Sequence, residues 1–375
     1  TAGETNTVLG LGGVIHIAFS ATNAPQIFHT GTKQTSARHE QTGIQYAGIE
    51  DLYLTGAENN SILAWNIAYC WIQNVELDGE LVPGDPARPG AGGPGIELNH
   101  AFRSVVRDSY VHHSRRMVNN AGSYGILIGD GSSDNLVENN ISLWWNKPIV
   151  LDTSGGGNVI AYNYVDQAII MGAHWQENAI DGAHQTFSHF ELFEGNWAPN
   201  VGSDSTHGNA GWMTFFRNYA SGRNSFSYNV GERQPGRPNQ NLRAAGVDAW
   251  NREHTFVGNV FNTVDVGQGL VYEATPKAHS AGSPVYRLGD NAGGAGGVWD
   301  DGTAASLVFR HGNWDNVTGT LVWDPSVARR DLPNSLYLTL KPGFFGSLTW
   351  PWVDPTGATR VGTLPAKQRY ESMSR

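Results

Sequence analysis

The sequence predicts an all-β chain wound as a solenoid of short strands. Three observations carry this: a turn-rich composition, a recurrent strand–turn–strand segment ending at asparagine, and a spacing of 22–23 residues between some copies. The chain has 375 residues, of which 47 are Gly and only 15 % are charged. Turn formers are abundant and strong helix formers few, which favours many short strands over helices.

The recurrent segments are "FRSVVRDSYV" (102–111), "DNLVENNISL" (134–143), "GNVIAYNYVD" (157–166), "FELFEGNWAP" (190–199), "WMTFFRNYAS" (212–221) and "EHTFVGNVFN" (253–262). They align on Asp108, Asn140, Asn163, Asn196, Asn218 and Asn259. Three residues before these anchors stand Val105, Val137, Ile160, Phe193, Phe215 and Phe256, all apolar. One residue after them stand Ser109, Ile141, Tyr164, Trp197, Tyr219 and Val260. Such period-2 patterning marks strands with one face inward. Asn140 and Asn163 are 23 residues apart and Asn196 and Asn218 are 22; the longer intervals are the same unit with loop insertions. A unit this small cannot bury its own apolar face, so units must stack. Leucine-rich repeats have a similar length, but the regular Leu framework is missing. A right-handed parallel β-helix fits better, with the asparagines stacked as a hydrogen-bonded ladder at one turn. On that reading the anchor residues are structural.

Extended towards the N-terminus, the first three segments resemble coils of the pectate-lyase-like superfold: "GIELNHAFRSVVRDSYV", "GILIGDGSSDNLVENNISL" and "PIVLDTSGGGNVIAYNYV". "GAHQTFSHFELFEGN", "DSTHGNAGWMTFFRN" and the tail "RHGNWDNVTGTLVWDP…LPNSLYLTLKPGFFG" are similar to a group of bacterial secreted β-helix proteins. The resemblance spans about residues 44–350. It implies the fold and a secreted setting (extracellular, periplasmic or cell surface). It does not imply one reaction, because the superfold hosts lyases, hydrolases, esterases and phage tailspikes.

Along the chain, residues 1–43 are rich in Gly, Thr and Ala with weak periodicity and read as irregular first coils. "IEDLYLTG" and "NIAYCWIQNVELDG" open the regular region, and coils are expected to about 262. Long insertions at 79–94, 114–123, 168–181, 197–206 and 222–243 fall at one phase of the coil and are expected to wall a groove along one flank. Residues 263–375 are expected to form a C-terminal extension that packs on the stack and caps its open end. The lone Cys70 excludes an intrachain disulfide and a cysteine zinc site, and reads as a small buried hydrophobe. A formal charge of −10 without a Lys/Arg run argues against nucleic acid. No apolar stretch is long enough for membrane insertion. The N-terminus shows no signal-peptide pattern, and a signal is presumed removed.

The strand after each long loop supplies the candidate chemistry. Its expected outward column is Glu97, Gly129, Asp152, Gln185, His207 and Asp248. With coils about 4.8 Å apart, Glu97 and Asp152 lie roughly 10 Å apart, and His207 lies about 5 Å from Asp248. Carboxylates slightly under about 10 Å apart suit inverting glycoside hydrolysis, and a His beside an Asp suits general acid–base catalysis. Asp152, His207 and Asp248 are the leading catalytic candidates, with Glu97 and His184 in support. A solvated polar sheet face is the alternative. A second constellation, His184, Asp204 and His207 with Asp181 and Glu177 nearby, could hold Ca²⁺ or another divalent metal, but its spacing has no metal-motif form and hydrogen-bonded loop scaffolding explains it better. No cofactor is required. Trp145, Trp175, Trp212 and Trp250, with Arg217 and Arg223, are candidate contacts to a polysaccharide or oligosaccharide, although about half the tryptophans should be core. The expected function is cleavage of a polysaccharide by paired carboxylates. The alternatives are a metal-assisted polysaccharide lyase and a non-catalytic glycan-binding or structural β-helix.

Overall fold

The computed structural model describes residues 7–11, 14–18, 43–55, 61–79, 93–114, 122–168, 175–225, 238–274, 282–290 and 301–373. Parts of the expected insertions at 79–94, 114–123, 168–181 and 222–243 therefore lie outside the described residues, as does most of 1–43, whereas 197–206 is no insertion: it carries the strands Trp197–Ala198 and Val201–Ser203. Within the described residues the chain is mostly strand with few helices, and the strands stack in parallel sheets, an arrangement compatible with a β-helix or solenoid.

Three sheets dominate, of nine, nine and ten strands. The chain visits them in rotation. Ile62–Trp65 joins the first sheet, Trp71–Gln73 the second and Glu76–Asp78 the third; Ile96–Asn99 then returns to the first. The strands are only two to six residues long because each coil must turn three corners. The corner between the second and third sheets passes through one left-handed residue per coil: Asn74, Asp108, Asn139, Tyr162, Gly195, Arg217, Gly258 and Gly312 all have φ between 50° and 68°. Glycine, Asn and Asp tolerate this region best. Tyr162 and Arg217 adopt it because tertiary packing holds them there.

The residue after this corner carries the ladder. Ser109, Asn140, Asn163, Asn196 and Asn218 each donate their backbone N–H to the side-chain oxygen of the next coil's Asn at 2.8–3.0 Å, and Asn259 hands on to Asn313 at 2.9 Å. Each amide nitrogen from Asn140 to Asn313 also donates to a backbone carbonyl, for example Asn196 Nδ2 to Ile160 O at 2.8 Å. The buried polar row is thereby satisfied. In the first of the six segments the ladder runs through Ser109 and not Asp108, which is the corner residue aligned with Asn139. The inward residue there is correspondingly Val106 and not Val105.

The core column reads Ile72, Val106, Val137, Ile160, Phe193, Phe215 and Phe256, in register and buried. Phe193, Phe215 and Phe256 stack at 4.7 Å with rings within 10° of parallel. Each such ring contributes on the order of 2 kcal/mol by burial. Cys70 is buried and unpaired, its thiol near the Ile44 and Ala68 carbonyls.

The repeat does not stop at 262. Ser283–Leu288 extends the first sheet, Phe309–His311 the second and Asn313–Asp315 the third. The remaining tail runs beside the stack. Phe345, Trp352, Val353, Leu364 and Tyr370 form a second apolar cluster with Ile141, Leu143, Tyr162, Tyr164, Trp197 and Val260. It therefore covers the outer face of the third sheet, where a cap on the open end was expected. Trp352 Nε1 donates to Gly195 O at 2.7 Å, and Arg217 donates to Pro333 O, Val353 O and Leu332 O.

Candidate active site on the first sheet

The first sheet's register separates the residues expected in one column. Glu97 aligns with Leu127, Val150, Asp181, Gly202, Gly246 and Arg287. Asp152 aligns with Gly129 and Asn99, two residues further along the strand. Glu97 is half-buried and accepts from Asn99 Nδ2. Leu127, Val150 and Asp181 are buried, so this part of the sheet faces packed protein. Gly202 and Gly246 make room for it. A Cβ on Gly202 would sit 1.9 Å from Gly246 O, and one on Gly246 would sit 2.5 Å from Arg243 Nε. The Arg243 side chain lies in that space.

Asp248 follows the paired Ser203 and Val247 and is sealed in the same layer. Its carboxylate pairs with Arg287 Nη2 at 2.9 Å. Burial is the largest influence on it and raises its pKa against the pull of Arg287 and Arg243. It is a structural ion-pair member, buried where His207 is exposed. His207 lies beyond the strand Val201–Ser203 and does not neighbour Asp248 in the sheet; its ring edge meets the His184 ring at 4.9 Å.

The structure assembles a different group. Lys147 opens the strand Lys147–Asp152 and its ammonium pairs with the carboxylates of both Asp181 and Asp204, all three buried. Asp181 also accepts from Ala183 N at 3.1 Å and Asp204 N at 3.0 Å. Asp204 Oδ2 lies 3.0 Å from His184 Nδ1, and His184 Nε2 lies 2.6 Å from the Tyr124 hydroxyl. In the tautomer this geometry requires, Nδ1–H donates to Asp204 and Nε2 accepts from Tyr124. The result is a directed chain, Tyr124 to His184 to Asp204, anchored by a buried ammonium.

Electrostatics separates the two aspartates. Burial, then the charge of Asp204, pushes Asp181 up to about 7 against the pull of Lys147. Burial also opposes ionisation of Asp204, but Lys147 and His184 outweigh it and hold its pKa below the ordinary carboxylate range. Lys147 stays charged despite burial because Asp181, Asp204 and Glu177 surround it. Burial raises the Tyr124 phenol, with Lys147 opposing. Asp152 borders the group, half-buried, accepting from Gln185 Nε2 at 3.0 Å. Burial raises its pKa and His184 lowers it.

Asp181, His184 and Asp204 place one ligand atom each within 4.8 Å of one another. Both carboxylates already face the Lys147 ammonium, so an ion there would have to displace that cation. His207 contributes a ring contact to His184 and is not a member of this triad.

The aromatic candidates divide. Trp145 is core, its Nε1 donating to Val111 O at 3.1 Å. Trp175 is partly buried and bridges to Gln240. Trp212 and Trp250 are 46 % and 49 % exposed, which leaves them open to a ligand. Trp212 stacks on exposed Phe190 at 5.0 Å, and Arg252 lies over Trp250 at 6.0 Å. Arg217 is spent on the C-terminal tail and Arg223 on Pro238 O at 2.6 Å. Sequence reasoning missed Tyr124 and Lys147. A signal for Lys147 was present, since a lysine heads the apolar run "PIVL" in a lysine-poor chain. Compared with family models, with curated proteins and with solved structures, the chain matches none.

Proposed function

We propose that this chain is a right-handed parallel β-helix of the pectate-lyase-like kind that cleaves a polysaccharide by acid–base chemistry beside the first sheet. The Tyr124–His184–Asp204 chain carries the reading. Asp204 orients His184, and His184 can take the Tyr124 proton as that phenol takes one from water. Asp152, whose carboxyl burial keeps protonated to higher pH, then gives its proton to the leaving oxygen as the glycosidic bond breaks and water's oxygen bonds to the sugar carbon. Exposed Trp212 and Trp250 supply flat faces for sugar rings. Hydrolysis remains the leading reaction, with Tyr124–His184 replacing Asp248 and Glu97 as partner to Asp152.

One observation favours a second reading. A phenol hydrogen-bonded to an oriented imidazole also suits removal of a carbon-bound proton, the first step of eliminative cleavage of a uronate glycan. The test is a panel of neutral and uronate polysaccharides, scored for new reducing ends and for ultraviolet-absorbing unsaturated ends. Wild type is expected to generate reducing ends. Asp152→Asn and His184→Ala should each lower kcat by about 10²–10⁴-fold. Retention of a glycan without cleavage makes the chain a binding protein and removes the catalytic reading.

A further inference from the structure

A second cluster lies at the end of two strands of the third sheet and shares no residue with the acid–base group. Asp78 and His112 are cross-strand partners at the ends of Glu76–Asp78 and Tyr110–His112. Adjacent strand residues normally point to opposite faces. His113 has φ 55°, which breaks the alternation and brings its ring beside that of His112. Three donor atoms thereby converge. Asp78 Oδ1 lies 3.5 Å from Nδ1 of His112 and 3.5 Å from Nδ1 of His113, and the two Nδ1 atoms are 2.6 Å apart. Two ligands of a tetrahedral ion held at zinc distances are about 3.4 Å apart. Both Asp–His separations match, and the His–His pair needs to open by only about 0.8 Å.

The site is also built from behind. His112 stacks on Tyr110 at 3.8 Å and His113 on Trp144 at 4.1 Å, which fixes both rings. Glu76 Oε1 lies 3.3 Å from His112 Nε2, the ring nitrogen that faces away from the other two ligands. A carboxylate on the distal nitrogen is how metal-bound histidines are oriented. His112 is buried, whereas Asp78 and His113 are only half-buried, so the cluster remains reachable from solvent.

We propose that Asp78, His112 and His113 bind a divalent transition-metal ion of the zinc type, with Glu76 as the carboxylate that orients His112. Two imidazoles and one carboxylate favour such an ion over Ca²⁺ or Mg²⁺, which take oxygen ligands. Three protein ligands leave a fourth position for water or a further donor. The two ligand strands lead into the long insertions at 79–94 and 114–123, so the ion ties together the roots of both.

The test is Zn²⁺ titration of the chelator-stripped full chain by calorimetry, with Co²⁺ as a spectroscopic probe. The expected result is one ion per chain and a Co²⁺ spectrum of nitrogen–oxygen ligation. His113→Ala and Asp78→Asn, both at half-buried positions, should abolish stoichiometric binding, and Glu76→Gln should weaken it about tenfold. His184→Ala should bind Zn²⁺ as wild type does. Absence of stoichiometric binding in wild type overturns the proposal. So does binding that survives His113→Ala and disappears in His184→Ala, because the ion then belongs to the first sheet.

Discussion

His254 lies in the buried layer with its Nδ1 3.0 Å from Arg252 O and its Nε2 2.8 Å from Ser203 Oγ. A carbonyl only accepts, so Nδ1 carries the proton and Nε2 accepts from the Ser203 hydroxyl. Burial pushes the ring's pKa down to about 4, against the pull of the Arg252 carbonyl. A depressed histidine binds fewer protons folded than unfolded. Its contribution is therefore fully present above about pH 6.5 and is lost as pH falls towards 4. The loss is on the order of 3 kcal/mol. Ring titration by NMR should show His254 neutral until near pH 4; a midpoint near 6.5 contradicts the sealed environment. The first ladder position is Ser109, where the sequence pattern points to Asp108. Asp108 and Asn139 stand at the left-handed corner, and the ladder residue follows it. Asp and Asn suit both positions, so the carboxylate of Asp108 masked the hydroxyl of Ser109.

At the scale of elements, the ladder and the tail hold the coils by different physics. Asn196 Oδ1 accepts from both Asn163 N and Asn163 Nδ2, and its own amide satisfies Ile160 O. Asn196→Ala removes the acceptor of the buried Asn163 N–H and the side-chain donor to Ile160 O, while Asn163 Nδ2 keeps Val137 O, and should cost about 3 kcal/mol in denaturant unfolding. A loss under about 1 kcal/mol would show that the ladder is ornamental. Trp352→Ala tests the tail. It removes a buried indole and the hydrogen bond to Gly195 O, and should cost about 3–5 kcal/mol and expose the third sheet to a hydrophobic dye. The need for such a cover was written in Ile141, Tyr164, Trp197 and Val260, which make the outer face of that sheet as apolar as the inner one. The side of the stack that the tail covers was not legible, because contacts such as Trp352 with Gly195 join residues 157 positions apart.

At the scale of the whole molecule, the sheets were readable from period-2 patterning, while the site was readable only in part. Asp152, His184, Asp204 and His207 were all singled out, and the structure joins His184 and Asp204 to Tyr124 and Lys147, with Asp152 at their border. Asp248 and Glu97 were misplaced because insertions of unequal length shift the strand starts. The two-residue offset leaves Glu97 level with buried Leu127 and Val150, and Asp248 is buried against Arg287. Tyr124 and His184 are 60 residues apart, and nothing local announces their hydrogen bond. A net charge of −10 repels polyanions, which is why the proposed hydrolysis is to be tested first on neutral glycans.

Product analysis of the polysaccharide panel with wild type, Asp152→Asn and Tyr124→Phe side by side tests whether the Tyr124–His184–Asp204 chain and Asp152 cut a glycan. Wild type should produce new reducing ends from a neutral glycan, at rates lowered at least about 10²-fold in both variants. Cleavage that proceeds unchanged in both variants, or a glycan bound and never cut, would contradict this chemistry.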